Sequence, residues 1–315
     1  MDPHWKQSPW GYEISSIDEL VRAVSRIGTL QGGRRYVWRG VVDRRFALRS
    51  SLIRHLVPSD ADAPCESDVR AREREILAHA RNWGIGIQLG GLATDLHLLA
   101  LLQHHGVPTR LLDITSNPMT ALWFACQRAP EARDASGVLF AFDVSDLPEY
   151  PTVEAGDPRT YGHLENPLGA TLEQALNDSA SKDRAFLVKP SLPDARMIAQ
   201  EGLFIVGATP ENPGIVGIDS FPITPGDPPA RSALKSLFAP DERRPGRPQR
   251  LPFVALVIPS RLKTRVMRHL AGTYNRERRV LFPDLAGFSD TFKQGDFKPG
   301  HLGLYSALAS HQADF

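Results

Sequence analysis

Hydrophobic positions along the chain recur first at helical and then at strand spacing. Residues 16 to 27 place Leu20, Val21, Val24 and Ile27 on one face, open on a capping box of Ser16 and Glu19, and stop at Gly28, which predicts a first helix. "RYVWRG" (35–40), rich in Val and aromatics and ended by glycine, predicts a short strand. "ESDVRAREREILAHARNWG" (66–84) predicts a charged amphipathic helix with Val69, Ile76, Leu77 and Ala80 as its apolar stripe. On that reading Glu73 and Glu75 are surface residues. "DLHLLALLQHHG" (95–106) has Asp95 as its N-cap, Gly106 past its end and leucine on nearly every face, so it predicts a buried helix. A further helix, "NPMTALWFACQRA", begins with Ser116 or Asn117 at the cap and Pro118 at the first helical position. "GVLFAFDV" (137–144) has strand length and composition.

Beyond residue 151 the text turns polar and irregular to about 185. The runs "RAFLVKP" (184–190), "LFIVGA" (203–208) and "FVALVI" (253–258) then supply strands. Residues 209–252, rich in Pro and Gly, predict a loop-rich excursion between strands. "SRLKTRVMRHLAG" (260–272) predicts a helix, "RRVLFP" a short strand, and a polar tail ends the chain. Strands and helices interleave without a regular βαβ rhythm. This favours an α+β fold, a mixed or antiparallel sheet core with flanking helices, over a doubly wound one. The expected organisation is an N-terminal extension over 1–15, one large domain over 16–297 and a tail over 298–315.

Composition narrows the classes. With 37 Lys and Arg against 36 Asp and Glu, the net charge of +1 names no polyanionic partner. The basic "RRPGRPQR" (243–250) is read as a solvated loop. Cys65 and Cys126 are too few for a disulfide framework, and no leader or membrane-span pattern is read, so a cytoplasmic protein with no membrane partner is expected. Signatures of phosphate loops, dinucleotide-binding turns, zinc sites and nucleophile elbows are absent from the sequence, which removes the main support for those enzyme classes; no metal site is expected.

What remains is a polar knot between two core-like helices, "LLQHHGVPTRLLDITSNPMTALWFAC" (101–126). Its bland readings are clear. His104 and His105 suit the end of a helix, Arg110 and Asp113 are spaced for a structural ion pair, and Thr109, Thr115 and Ser116 can satisfy turns. Yet seven polar residues stand within thirteen positions, from His104 to Ser116. Burying so many is costly unless they are paired or face a cleft, and the cleft is the more economical explanation.

"WRG" (38–40), the knot with its flanking helices, "RMIAQEGLFIV" (196–206) and "RRVLFPDLAGF" (278–288) resemble, in order, the blocks of the FRG domain. Trp38 stands where that family usually has Phe or Tyr, and Ile114 where Trp is expected. The block order is also similar, through short motifs, to the ADP-ribosyltransferase fold with its split sheet. That resemblance implies NAD as substrate and a macromolecular acceptor, protein or nucleic acid, in a toxin or anti-phage defence effector with an antitoxin or regulator. It places Arg39, beside Gly40, on the phosphates or ribose, and Thr115 or Ser116 on the nicotinamide ribose, with His105, Thr109, Arg110 and Asp113 lining the same site. Glu201 becomes the catalytic carboxylate, which stabilises the positive charge that develops as nicotinamide leaves. Gln200 and Glu201 are adjacent, so on an extended segment only one faces the cleft. Arg196 is read as exposed, or as pairing with Asp113 or a phosphate. The alternatives are an NAD glycohydrolase and a non-enzymatic module that binds a nucleotide, a nucleic acid or a protein.

Overall fold

The computed structural model describes residues 4–30, 34–57, 65–88, 91–127, 134–152, 171–190, 194–223, 227–240 and 250–293. The expected tail at 298–315 and nearly all of the basic 243–250 run lie outside the described residues. Ten strands are described: β1 (Gly11–Glu13), β2 (Tyr36–Val41), β3 (Ile87–Gln88), β4 (Gly91–Leu92), β5 (Leu112–Thr115), β6 (Gly137–Asp143), β7 (Glu149–Thr152), β8 (Phe186–Pro190), β9 (Gly202–Val206) and β10 (Phe253–Ile258). The helices are α1 (Ile17–Gly28), α2 (Ser51–Leu56), α3 (Glu66–Asn82), α4 (Asp95–His104), α5 (Pro118–Cys126), α6 (Leu172–Lys182), α7 (Ala195–Gln200), α8 (Arg231–Phe238), α9 (Ser260–Tyr274), α10 (Arg278–Leu281) and α11 (Leu285–Lys293).

Eight strands form one mixed sheet in the order β1-β10-β6-β2-β5-β9-β8-β7, and β3 and β4 pair separately. The two outermost pairs, β1 with β10 and β7 with β8, are parallel; the rest are antiparallel. This is the α+β class expected from the pattern. The run "GVLFAF" (137–142) is apolar throughout because β6 is covered on both faces. Leu139 and Ala141 pack under α1, α5, α8 and α9, while Val138, Phe140 and Phe142 face a cluster completed by Trp5, Leu48, Ile218 and Phe221.

By strand alternation, Asp113, Thr115 and Phe204 share the face of Trp38, because Trp38 pairs with Thr115 and Asp113 with Phe204. That face carries two separate apolar clusters. One lies under α1, α5, α8 and α9, and the other joins Phe186, Val188, Phe204 and Val206 to α3, α4 and α6. The boundary between them is the β2–β5 junction. It consists of one Cα pair, Trp38–Thr115, whereas β2 meets β6 along all six of its residues.

Several expectations are corrected. Residues 4–15 are built into the domain rather than extending from it. β1 joins the sheet, Trp5 is fully buried edge-on to Phe140 at 4.9 Å, and its indole N–H donates to the Phe46 carbonyl at 2.9 Å. Thr94, not Asp95, caps α4, accepting from His97 N at 3.2 Å, and Asp95 turns instead to Arg81. Of the two caps offered for α5, Asn117 is the one used, accepting from Met119 N at 2.9 Å. The polar 151–185 stretch contains α6, opened by a reciprocal Thr171–Gln174 capping box. The 209–252 excursion contains α8 and buries Ile215, Ile218 and Phe221. "RRVLFP" is not a strand. Its apolar residues bury Leu281 from the single turn α10, and a short apolar run carries no periodicity to separate the two states.

Candidate functional site

The polar knot divides into a buried framework and a cavity. Arg110 belongs to the framework. Its side chain is 1% exposed, Nε donates to both Glu73 oxygens at 2.9 and 2.8 Å, and Nη1 donates to Glu66 at 3.2 Å and to the Gly207 carbonyl at 3.3 Å. The expected Arg110–Asp113 pair is therefore absent: Arg110 precedes β5 and turns to Glu66 and Glu73, while Asp113, on β5, meets Gln103 and Arg39. Glu73, read as a surface residue, is buried to meet Arg110, while Glu75 stays outside with Arg72. Burial works against the charge on Glu66, but Arg110, Arg70 and the Thr209 amide hold its carboxyl below the ordinary value. Thr109 is also framework. It is fully buried, donates to Gln103 Oε1 at 2.7 Å, accepts from Leu111 N at 3.2 Å, and its carbonyl anchors Leu52 N at 3.0 Å.

A cavity of about 320 Å³ opens where β2 and β5 stop pairing. Its polar lining includes Arg39, Gln103, His104, Asp113 and Gln200, and its apolar lining includes Phe124 and Phe282. The Arg39 guanidinium spans the seam. Nη1 donates to the Asp113 carbonyl and stands 3.8 Å from the Asp113 carboxylate, while Nε is buried without a hydrogen-bond partner. Burial pushes Arg39 below its ordinary pKa; Asp113 opposes this shift and Arg54 adds to it. Gln103 donates to the Asp113 carboxylate at 3.0 Å, and so links Thr109 in the framework to the cavity.

Gly40 lines the cavity for a packing reason. A Cβ there would lie 1.8 Å from the Ala121 carbonyl oxygen, so α5 rests directly on the β2 backbone. Thr115 also lines it, but its hydroxyl is engaged. It donates to the Gln200 carbonyl at 2.7 Å and accepts from Asn117 N at 3.0 Å, which fixes the junction of β5, α5 and α7.

The parity argument for Gln200 and Glu201 does not apply, because neither lies on a strand. Gln200 is the last residue of α7, donates to the Leu281 carbonyl at 2.9 Å and faces the cavity. Glu201 caps α7 in the left-handed conformation at φ +49°, and its carboxylate accepts from Asn117 Nδ2 at 2.8 Å and Arg276 Nη2 at 2.9 Å. Glu201 and Ser116 line a second cavity of about 300 Å³, so the expected catalytic carboxylate stands outside the first one. His105 is exposed at the C-cap of α4 and lines neither cavity.

Gln103, His104 and Arg196 also line the cavity, and Arg196 neither stays fully exposed nor pairs with Asp113. His104 Nδ1 lies 2.9 Å from the Asp194 carboxylate. Arg196 pairs with Asp284 through bonds of 2.9 and 3.1 Å and lies over the Phe282 ring at 4.9 Å, closing α7 against the α10–α11 corner. The block "RRVLFPDLAGF" carried that signal, since it supplies both Phe282 and Asp284. Among the described residues, no three His, Cys, Asp or Glu are grouped to hold a metal ion, and no helix is long and apolar enough to cross a membrane.

These features define an α+β protein with a polar cavity at a seam of its sheet. Residues 34–134 match the sequence model of the FRG domain, and the chain carries that domain. The matched span contains β2 and the whole polar knot, and so two walls of the cavity; α7, β9 and α10 complete it from beyond the span. No curated protein and no solved structure matches the chain.

Proposed function

We propose that the first cavity binds the nicotinamide half of NAD and supports transfer of ADP-ribose to a macromolecular acceptor, in a toxin or defence effector. The observation that carries this reading is the convergence of a half-buried Arg39, its Nε without a partner, with Asp113, Gln200 and two aromatic rings in one seam. A partly desolvated guanidinium with a free N–H suits a phosphate or ribose oxygen. Phe124 and Phe282, packed edge-to-face with ring centroids 6.1 Å apart, offer an apolar wall to a planar pyridine ring.

In the reaction, the bond between ribose C1′ and the nicotinamide nitrogen breaks with its electron pair going to nicotinamide, which leaves neutral. C1′ then bonds to the acceptor's nucleophilic atom, whose proton passes to solvent. Positive charge develops on the ribose as that bond stretches, and a nearby carboxylate stabilises it. Asp113, the carboxylate that lines this cavity, takes that role instead of Glu201, while Thr115 acts as a positioning residue.

A binding module without chemistry is the second reading. It is favoured by the fact that Asp113 and Glu201 both already accept hydrogen bonds or ion pairs from neighbours. Labelled NAD incubated with the protein and a cell lysate separates the cases. Label moving into protein or nucleic acid supports transfer, and free ADP-ribose alone supports a glycohydrolase. A rise in Tm with NAD but no turnover supports the binding module, and neither effect would sink the NAD reading altogether.

A further inference from the structure

The first cavity lies at the small end of the ~300–1,000 Å³ range of ligand pockets, whereas a dinucleotide has two nucleoside halves to place. A second cavity of about 300 Å³ begins across the Trp38–Thr115 pair. Arg39 and Thr115 border the first cavity, and Val37, two residues before Arg39 on β2, and Ser116, the residue after β5, border the second. The two share Met197, Gly202 and Leu203 as a common wall.

Resting on the NAD reading, we propose that the second cavity is the adenosine subsite, so that one dinucleotide occupies both halves of the seam. Three observations support the assignment. Ile198 is 63% exposed at the rim beside Leu203 and Pro190, an apolar surface that a purine ring would cover. Glu201 and Ser116 offer a carboxylate and a hydroxyl at the same rim, and a carboxylate is well suited to accept from a ribose diol. The common wall includes one flexible side chain, Met197. A Cβ on residue 202 would meet Met197 Cε at 3.0 Å and Sδ at 3.1 Å, so the glycine leaves the thioether room to shift as a diphosphate passes. Glu201 is thereby removed from the reacting carbon and given a role in recognition.

The experiment measures binding of NAD, nicotinamide mononucleotide and AMP separately, by calorimetry, on the full chain and on two exposed variants that alter only the second cavity, Ser116→Trp and Ile198→Glu. In the parent, nicotinamide mononucleotide and AMP should bind together without competing. Each variant should lose at least tenfold in affinity for AMP and for NAD, while nicotinamide mononucleotide stays within twofold, which also reports that the variant is folded. Competition between the two mononucleotides for one site would overturn the assignment, as would variants that bind AMP and NAD like the parent. A parent that binds none of the three would overturn the NAD reading and the subsite with it.

Discussion

Arg39 brings together the two things a functional side chain needs, a fixed position and an unused donor. Its Nη1 is held by the Asp113 carbonyl, which leaves Nε buried and free. Lysine keeps the charge but not the fork, so Arg39→Lys and Arg39→Ala should both lower kcat/KM for NAD-dependent transfer by about tenfold or more, roughly 1.4 kcal/mol. Either variant retaining full activity would remove Arg39 from substrate binding. Gly40, its neighbour, makes a different prediction. A methyl group there would lie 1.8 Å from the Ala121 carbonyl, so Gly40→Ala should cost about 1–3 kcal/mol, read as a lower denaturant midpoint. The two thiols differ as sharply. Burial pushes Cys126 up to about 12, while Ser67 and neighbouring amides hold the exposed Cys65 below its ordinary value. Iodoacetamide on the folded protein should therefore label one cysteine, Cys65, as peptide mapping would report.

At the scale of elements, what the sequence made legible was whatever repeats. α1, α3, α4, α5 and α9 follow from periodicity and capping residues, and β6, β8 and β10 from apolar runs. The misses are elements too short to show a period, β5 and α10 among them, the helix α6 set in a polar stretch, and partnerships between residues far apart in the chain. Glu73 looked like one charge among many on α3, and nothing local says that Arg110, 37 positions on, will bury it. The seam was only half legible. The residue types around the knot announced a cleft, but which of Gln200 and Glu201 enters it depends on the end of a six-residue helix rather than on strand alternation. The buried Glu73–Arg110 pair carries its own prediction. Glu73→Ala leaves the buried guanidinium with Glu66 and the Gly207 carbonyl alone and should destabilise by about 3 kcal/mol. Glu75→Ala, two residues away on the exposed side, should stay within about 0.5 kcal/mol. Equal effects in urea denaturation would contradict the framework role.

Among the described residues five carboxylates, Glu19, Asp43, Glu66, Asp178 and Asp284, are held below their ordinary pKa, and the three that are partly buried weigh most in the response to acid. Burial opposes the shift at each, but Arg45 lowers Asp43, Arg110 and Arg70 lower Glu66, and Ser15 and Tyr12 lower Glu19. A depressed folded pKa means that the stabilisation is fully present above the unfolded values near 4 and is lost as pH falls through the folded ones. Tm should therefore change little from pH 7 to about 5 and fall steeply below about 4. A flat profile down to pH 3 would show that these pairs add nothing to the folded state.

The strand order has a consequence for how the chain is made. β1 lies at the sheet edge beside β10, with Gly11 paired to Ala255, and β10 also completes the hydrogen bonding of β6. On the ribosome, Trp5 and Trp10 emerge early but cannot be covered until "FVALVI" has cleared the exit tunnel, since both rings pack against Phe253. A nascent chain halted before residue 253 should bind hydrophobic-surface chaperones and be cut readily by protease, and one halted well beyond residue 293 should resist both.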